Sequence, residues 1–431
     1  MRLILACLLL TSQLFAQQGR RLEILFLGDN GHHKPIERIP SLMAALGPKG
    51  INFTYTDDLK DLNGQNLSKY DALMIYANWD EITPEAERAL LDYVASGKGI
   101  LPIHCASYCF RNSSEYVKMV GGQFWRHTMD SITTKTLQPE HPIMKGLQPF
   151  TAYDETYLHS QLQADNNVLA EREIKADQKK DRSSPATEPY TWTRSYGKGK
   201  VFYTAYGHDE RTWNQPGFQS LIYNAILWAV NTDALNAFNS RNPKPFEYKT
   251  ANLPNYEQRP GAQYQQLALT PEESMKHIQV PVDFNLELFA AEPNVMHPIA
   301  ISWDERGRMY VLITKDYPNE RKKEGGSDYI LICEDTNKDG KADKFTKFAE
   351  GLSIPTGMVF ANGGLIVSQA PDMLFLKDTN GDDKADERKV LFSGFGTYDT
   401  HAGPSNLHYG FDNWIWGCVG YSGFEGKFGN A

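Results

Sequence analysis

Five polar residues stand at the ends of predicted strands or in the loops beside them, and their side chains are suited to joint chemistry. They are His33, His104, His127, Glu155 and His208. Neutral imidazoles with a carboxylate are a common ligand set for a divalent transition metal such as zinc. Histidine also transfers protons near neutral pH. The sequence therefore predicts a metal at His33, His104, His127 and His208, and catalysis by His104, His127, Glu155 and His208.

These residues must be positioned by an α/β sheet. Apolar runs predict strands that alternate with amphipathic helices, with strands at 22–28, 51–56, 70–76 and 99–103 and helices at 36–46 and 84–97. This alternation is typical of a flavodoxin-like parallel sheet flanked by helices. Ligands bind such sheets just outside the carboxyl ends of the strands, where His104 lies. Asp154 and Asp209 are expected to accept hydrogen bonds from neighbouring histidines.

Length and charge exclude some classes of protein. A chain of 431 residues is expected to contain more than one domain. Its formal net charge of −9 argues against nucleic acid or an anionic membrane surface as the main partner. Beyond the N-terminus, no run approaches the roughly 20 apolar residues that a membrane span needs.

The N-terminus has the features of an export signal. Arg2 precedes an apolar run, and Ala16 precedes a polar segment. An alternative is a lipoprotein anchored through Cys7, but only six residues precede that cysteine. We therefore favour a signal peptide over residues 1–16 that is cleaved to leave a periplasmic or secreted protein.

The remaining cysteines are Cys105, Cys109, Cys333 and Cys418. They are too few for a disulfide-scaffolded fold. The chain contains no CxxC or CxxCH motif, so it encodes neither a zinc ribbon nor a c-type haem site. Cys105 and Cys109 are interpreted as two small buried thiols.

The second half of the chain is β-like and repetitive. Residues 233–279, rich in Asn, Pro and Gln, are predicted to form a linker. Three predicted strand pairs then begin at Pro298, Pro355 and Pro404, which are 57 and 49 residues apart. Periods of this size predict a β-propeller over residues 280–431. Only two to three blades fit, so we expect this propeller to be incomplete.

Two acidic turns, 43 residues apart, carry oxygen atoms at alternate positions. The residues concerned are Asp335, Asn337, Asp339 and Asp343, and then Asp378, Asn380, Asp382 and Asp386. This spacing resembles the first part of a calcium-binding loop, although the bidentate glutamate of a full EF-hand loop is missing from both. The alternative is a turn stabilised by side-chain hydrogen bonds to the backbone.

Several stretches together carry a family resemblance: 28–33, 97–107, 121–127, 141–147, 154–157 and 192–209. On these stretches, residues 22–232 resemble the ThuA-like, or trehalose-utilisation, domain of the class I glutamine-amidotransferase-like superfamily. Residues 280–431 resemble the start of the sugar-dehydrogenase-like propeller of large periplasmic membrane-bound dehydrogenases. In that family a c-type cytochrome commonly follows, so the resemblance implies an electron-transfer domain as a possible partner.

The ThuA-like resemblance implies a sugar or keto-sugar as the substrate class, and the N-terminal signal adds that the protein is exported. Aromatic side chains offer the flat apolar faces on which sugars stack. The candidates for this contact are Trp79, Tyr108, Trp125, Tyr157 and Trp213. The alternative for each of them is ordinary core packing.

Three other functions are alternatives to this one. An amidotransferase would use Cys105 as nucleophile, but His104 and Ala106 flank it where a nucleophile elbow needs glycines. A non-catalytic carbohydrate-binding module would bind sugar without product. A propeller sugar dehydrogenase would need a cytochrome relay beyond the residues of this chain.

Overall fold

The computed structural model describes residues 19–179, 185–251, 258, 261, 263–319, 321–322 and 324–426. The chain divides into two compact units, residues 1–285 and residues 286–431. The predicted signal segment, with Cys7, lies outside the described residues. Among the helices described, none combines the length and apolar character needed to cross a membrane.

The first unit is built from strands and helices that alternate through its first half. Its strands are β1 Leu22–Leu27, β2 Ile51–Thr56, β3 Ala72–Ile75, β4 Gly99–Pro102, β5 Gln123–Arg126, β6 Met129–Ile132, β7 Lys135–Thr136, β8 Ala152–Glu155, β9 Leu158–Ser160, β10 Asn167–Glu173, β11 Thr187–Tyr196, β12 Gly199–Thr204, β13 Tyr248–Thr250 and β14 Tyr264–Gln266. Its helices are α1 Pro35–Leu46, α2 Gly64–Leu67, α3 Pro84–Ala95, α4 Ser114–Val120, α5 Glu210–Trp213, α6 Pro216–Ala229, α7 Thr232–Ser240 and α8 Pro271–Met275. Short 3-10 turns cover Leu59–Asp61, His104–Tyr108 and Ala176–Gln178.

The main sheet has eight strands in the order β2-β1-β3-β4-β12-β11-β10-β7. The first five are parallel, with Ile24 opposite Ala72 and Ala72 opposite Gly99. The remaining three strands are antiparallel. The predicted α/β sheet with flanking helices is therefore confirmed.

Burial explains why these strands read as continuous apolar runs. The side chains of β1, β3 and β4 are almost entirely buried, which is expected for parallel strands covered by helices. Helix α3 begins where Thr83 accepts a hydrogen bond from the Ala86 backbone and Pro84 takes the first helical position. The loops that lead from these strands into the next helices therefore begin at the carboxyl ends of the strands.

The start of the predicted linker is helical instead. Helix α7 begins after Asn231, whose side chain accepts a hydrogen bond from the backbone of Ala234. Ala234 and Ala237 are buried, and the Ala237 carbonyl accepts a hydrogen bond from Arg20. Small apolar residues three apart form one helix face, so this part of the segment packs on the first unit.

The second unit consists of small antiparallel sheets. Its strands are β15 Pro298–Trp303, β16 Met309–Ile313, β17 Asp328–Glu334, β18 Lys344–Leu352, β19 Gly357–Ala361, β20 Gly364–Gln369, β21 Asp372–Lys377, β22 Glu387–Ser393, β23 Pro404–Tyr409 and β24 Ile415–Val419. Strands β15 to β18 form one four-stranded meander, β19 to β22 form a second, and β23 pairs with β24. The repeat predicted from the sequence is visible in these sheets. The described strands form no closed ring, so the propeller stays a prediction.

Candidate metal centre

The candidate residues lie where the parallel strands end. His33 follows β1, His104 follows β4 at the start of its 3-10 turn, and His208 follows β12. Glu155 is the last residue of β8. Because the carboxyl ends of the parallel strands β1, β4 and β12 meet at one edge of the sheet, the three histidines come together there. Glu155 joins them from β8, which pairs with β6 outside the main sheet.

Four of these side chains form one cluster. His33, His104, Glu155 and His208 each offer a ligand atom, and these four atoms all lie within 4.8 Å of one another. The centroid of the His33 ring lies 5.2 Å from that of His104 and 5.6 Å from that of His208. Three imidazoles and a carboxylate at these separations are the donors that zinc and similar metals prefer. We refer to these four residues as the His3Glu cluster.

His104 is held so that one nitrogen faces the cluster. Its Nδ1 lies 2.6 Å from the backbone oxygen of Ala205, and its Nε2 lies 3.1 Å from Glu155 Oε2. A nitrogen that contacts a carbonyl oxygen must carry the proton, which leaves the Nε2 lone pair for a ligand bond. His104 is fully buried and has a φ of 50°. This left-handed backbone conformation is uncommon for any residue other than glycine.

The surroundings of His33 destabilise the fold unless a cation is bound. His33 is buried, and neither of its ring nitrogens has a hydrogen-bond partner among the residues that the structure describes. Burial, together with the neighbouring His104 and His32 rings, lowers the pKa of His33 to about 2. The ring is therefore neutral, with a free lone pair. An unpartnered buried polar atom destabilises a fold, and a metal ion would supply the missing partner.

Glu155 and His208 have opposite pKa shifts. Burial raises the pKa of Glu155, but its contacts with His104 and His208 lower it by more, so the pKa lies well below the ordinary value. The contact with Glu155 raises the pKa of His208. His208 Nδ1 lies 3.1 Å from Glu155 Oε1, although the ring is not aligned for a hydrogen bond. The carboxylate therefore carries the negative charge of the cluster.

His127 lies outside this group of four. Its Nδ1 is 3.4 Å from Glu155 Oε1, and its side chain is 37% exposed. The sequence predicts His127 as the fourth metal ligand, but the fourth member of the close group is Glu155. A partly exposed imidazole that contacts the same carboxylate is better placed to exchange protons with solvent.

Asp154 organises the cluster through the backbone rather than through the rings. This fully buried carboxylate accepts hydrogen bonds from the backbone N–H groups of Glu155 (2.7 Å), Gly207 (2.8 Å) and His208 (3.1 Å). It also accepts one from the Thr212 hydroxyl at 2.6 Å. The expectation that Asp154 would accept from a histidine ring is therefore corrected. Its hydrogen bonds join the segments that carry Glu155 and His208.

Asp209 has a different role from the one expected. Its side chain accepts a hydrogen bond from the Arg211 backbone at the start of α5 and forms an ion pair with the Arg211 side chain. Nε2 of His208 lies 3.9 Å from Asp209 Oδ2. This distance is too long for a hydrogen bond.

Two of the predicted sugar-stacking residues are buried. Trp213 is fully buried, and its indole N–H donates to the Gly207 oxygen at 2.8 Å. Tyr157 is also buried and stacks on His104 with ring centroids 4.2 Å apart. Neither ring has a free face for a ligand, so both predictions are corrected to core packing. Trp79 is half-buried, with its N–H donating to Gly28 at 2.9 Å.

Trp125 and Tyr108 keep surface available. Trp125 is 52% exposed, and Tyr108 is partly exposed. Arg126 lies 4.7 Å from the Trp125 ring and Arg111 lies 4.0 Å from the Tyr108 ring, each measured to the ring centroid. One face of each ring is therefore covered by a guanidinium group. These two aromatics remain candidates for contact with a ligand.

The buried thiols are unsuited to nucleophilic attack. Cys105 and Cys109 are both buried, as the sequence predicts. Burial raises the pKa of each thiol well above its ordinary value. Because the thiolate is the nucleophile, a Cys105-based amidotransferase is not supported by this geometry.

The acidic turns connect the third and fourth strands of their sheets. Asp335 accepts hydrogen bonds from the backbone N–H groups of Lys338 and Gly340, and Asp378 accepts them from Gly381 and Asp383. These bonds account for the two carboxylates as turn-stabilising groups. Calcium binding by these turns stays a prediction.

A further set of buried polar residues, which no sequence motif indicates, lies behind the cluster. His159 and Glu188 are buried and hydrogen-bonded to one another, and Tyr203 contacts His159. They lie on β9, β11 and β12, and no spacing in the sequence links them. The only available signal was their polarity within otherwise apolar strands.

Two family models match this chain. Residues 23–229 match the family model described as Trehalose utilisation, ThuA. Residues 270–431 match a model described as a domain of unknown function, DUF7133. No curated protein matches the chain.

Three similar solved structures each match about half of the chain. A ThuA-like protein from Bacteroides uniformis is 21% identical, with a TM-score of 0.44, and the match covers 51% of this chain and 96% of that protein. A ThuA-like protein from Parabacteroides merdae is 18% identical, with a TM-score of 0.42 and coverages of 49% and 90%. A cytoplasmic protein from Salmonella typhimurium is 15% identical, with a TM-score of 0.33 and coverages of 49% and 100%.

The family model therefore confirms the resemblance read from the sequence motifs over the first unit. The predicted resemblance of the second unit to a dehydrogenase propeller is not shown. The family model that matches there is a domain of unknown function. The α/β domain of this chain is a ThuA-like, trehalose-utilisation domain.

Proposed function

We propose that the ThuA-like domain is a metal-dependent enzyme that acts on a carbohydrate. The observation that carries this proposal is the His3Glu cluster, whose four ligand atoms lie within 4.8 Å of one another. The buried, unpartnered nitrogens of His33 support a bound cation over a purely structural role. A divalent transition metal of the zinc type suits three imidazoles and a carboxylate.

The residues divide the chemistry between them. A metal at this cluster would polarise a water molecule or a substrate carbonyl oxygen. His127 is the candidate general acid or base, since its imidazole contacts Glu155 and is partly exposed. Solvent also reaches His208, whose side chain is 24% exposed. Substrate is therefore expected to approach from the side of His127 and His208.

The substrate class rests on the family description together with the exposed aromatics. The family model is described as trehalose utilisation. Trp125 and Tyr108 offer aromatic surface of the kind that sugar rings contact. We propose a sugar or an oxidised keto-sugar as the substrate, with the reaction a hydrolysis, elimination or isomerisation that needs proton transfer.

The test uses the full chain and two histidine variants. We expect the wild-type protein to retain about one zinc ion per chain after dialysis and to convert a member of a panel of glycosides and keto-sugars. His104→Asn removes the imidazole but tolerates a left-handed backbone, and it should lose both properties. His277→Asn is the control, because the His277 ring contacts the Lys244 carbonyl and the Phe246 ring and no member of the His3Glu cluster among the contacts described for it. Metal-free wild-type protein, or full turnover in His104→Asn, would contradict the proposal.

A second candidate function is a non-catalytic carbohydrate-binding module. The exposed Trp125 ring favours it, because a binding surface needs aromatic area but no ligand cluster. Saturable binding of a sugar with no product, in a protein loaded with zinc, would support this alternative over the enzyme.

The second unit and the location of the protein also remain proposals. Two four-stranded meanders in chain order are the arrangement of propeller blades. We propose that this unit belongs to a propeller that works with an electron-transfer domain, and that residues 1–16 direct export. Reduction of a redox dye in the presence of sugar would support the dehydrogenase role.

A further inference from the structure

We propose that Glu188, His159, Tyr203 and Ser107 form a buried chain of hydrogen bonds that holds His104 in the conformation needed for metal binding. The inference rests on the proposed metal site. It assigns positioning roles to four residues that do not belong to the His3Glu cluster.

The chain begins at a carboxylate on β11. Glu188 Oε1 accepts a hydrogen bond from the backbone N–H of His159 at 2.8 Å and lies 2.9 Å from His159 Nδ1. The opposite ring nitrogen, Nε2, lies 3.0 Å from the Tyr203 hydroxyl. A carboxylate that contacts one nitrogen of an imidazole fixes both the orientation of the ring and the atom it presents on its other side.

The chain ends at the backbone of His104. The Tyr203 hydroxyl lies 3.2 Å from the His104 carbonyl oxygen and 3.0 Å from Ser107 Oγ. Ser107 Oγ in turn donates to the same carbonyl at 3.1 Å. Each hydroxyl has one proton, so the chain runs from the Tyr203 hydroxyl to Ser107 Oγ and from Ser107 to the His104 carbonyl oxygen.

Burial gives these contacts their importance. Tyr203 and Ser107 are essentially inaccessible to solvent, and the side chains of His159 and Glu188 are 0% and 6% exposed. Water cannot easily replace a lost partner in such a place, so each contact depends on the others. The same burial keeps substrate away from His159, which is why its role is positioning and not catalysis.

His104 needs this support because its backbone is in an unfavourable region. Its φ of 50° places a residue with a Cβ in the left-handed conformation. Such conformations persist where the surrounding structure over-determines them, and they concentrate at functional sites. The Ala205 carbonyl holds the imidazole, and the Tyr203–Ser107 pair holds the backbone oxygen. Together they direct Nε2 toward the cluster.

The test measures metal binding in the full chain with conservative variants. Tyr203→Phe removes one hydroxyl and little volume. Tyr93→Phe is the matched control, because Tyr93 is also buried and donates its hydroxyl to a backbone carbonyl, that of Tyr70, at 3.2 Å. Zinc affinity is measured by competition with a chelator, the ligand geometry by the absorption spectrum of bound Co²⁺, and the fold by thermal unfolding of the metal-free protein.

We expect Tyr203→Phe to bind zinc about 10- to 100-fold more weakly than wild type, the usual effect of losing a group that orients a ligand. Its Co²⁺ spectrum should change, whereas Tyr93→Phe should keep the wild-type affinity and spectrum. Glu188→Gln retains an acceptor oxygen for His159 and should bind zinc more tightly than Glu188→Ala. If Tyr203→Phe fails to fold, the zinc affinities of these two Glu188 variants test the positioning chain in its place.

Two failures can be told apart. If the wild-type protein binds no zinc, the proposed function is wrong. If the wild type binds zinc and both Tyr203→Phe and Glu188→Ala match its affinity and Co²⁺ spectrum, the positioning chain is overturned while the metal site stands.

Discussion

Among single side chains, His33 carries the strongest argument for a bound cation. Its two ring nitrogens are buried and have no hydrogen-bond partner in the described part of the chain, and its pKa is lowered to about 2 by burial and by neighbouring imidazoles. A protein gains no stability from such a residue in the metal-free state. The residue is therefore expected to be favourable only when its lone pair binds a ligand.

Replacing His33 by leucine should separate stability from function. Because the change removes two unpartnered polar atoms from a buried position, the metal-free protein should gain about 1 kcal/mol in free energy of unfolding. The increase in melting temperature on adding zinc, which mass action produces in the wild type, should become much smaller, because only three ligands remain. Thermal unfolding with and without zinc measures both effects. A zinc-dependent shift as large as that of the wild type would exclude His33 as a ligand.

Thiol reactivity tests the exclusion of a cysteine nucleophile. Burial raises the pKa of Cys105 and Cys109, so both stay protonated at pH 8, while Cys418 is exposed. Iodoacetamide added to native protein should modify Cys418 and leave the other two unmodified until the fold is denatured. Mass spectrometry of the peptides identifies the sites. Labelling of Cys105 as fast as Cys418 in the native state would revive the amidotransferase interpretation.

At the level of elements, Asp154 joins the end of β8 to the loop that follows β12. Its carboxylate accepts hydrogen bonds from the backbone of Glu155, Gly207 and His208 and from the Thr212 hydroxyl. Two ligands of the cluster are thereby held by one buried group. The stability of the fold and the geometry of the metal site are coupled at this residue.

The Asp154→Asn variant should lower both the unfolding free energy and the affinity for zinc. The amide nitrogen cannot accept a hydrogen bond, so buried N–H groups lose their partner at a cost of about 3 kcal/mol in unfolding free energy. Zinc affinity should fall with it. Asp130→Asn is the control, because Asp130 lies opposite Asp154 in the β6–β8 pair and is more exposed. Denaturant unfolding and zinc titration of both variants provide the measurement, and equal behaviour of the two would contradict the assigned role.

The elements differ in how far the sequence predicts them. The parallel strands were predictable because both their faces are buried, which leaves uninterrupted apolar runs. Strand β10 was missed because it contains Glu171, Arg172 and Glu173, and Arg172 is buried through bonds to the Thr156 and Tyr157 carbonyls. A local pattern carries no signal for such distant partners.

The same limit applies to the site. Histidines at strand ends could be identified, because sheet topology gathers them at one edge. The sequence could not distinguish the buried Trp213 from the exposed Trp125, since the burial of a single aromatic residue depends on tertiary contacts that a local pattern does not show. Nor could it reveal the contact of His159 with Glu188 and Tyr203, which joins three strands that are separate in sequence.

At the scale of the whole molecule, the chain comprises two units with separate hydrophobic cores. In the second unit, Asp328 is a buried acceptor for the backbone of Asp316 (2.9 Å) and Ile354 (2.6 Å) and for the Thr314 hydroxyl (3.0 Å). This arrangement parallels that of Asp154 in the first unit. The residues of the His3Glu cluster all belong to the first unit.

An Asp328→Asn variant should therefore destabilise the second unit without changing the metal site. The loss of buried acceptors should cost about 2 kcal/mol in unfolding free energy, whereas Asp382→Asn in an exposed turn should change it little. Zinc content per chain should equal that of the wild type in both. Calorimetry and elemental analysis make the comparison, and loss of zinc in Asp328→Asn would show that the metal site depends on the second unit.

The central claim is that His33, His104, Glu155 and His208 bind one divalent metal ion. The most direct measurement is anomalous X-ray scattering from crystals of the full chain grown with zinc, recorded above and below the zinc absorption edge. The account predicts a single strong peak at this cluster, about 2.0 to 2.2 Å from the imidazole nitrogens and the carboxylate oxygen that bind it. A cluster without a peak, in crystals that contain zinc, would contradict it.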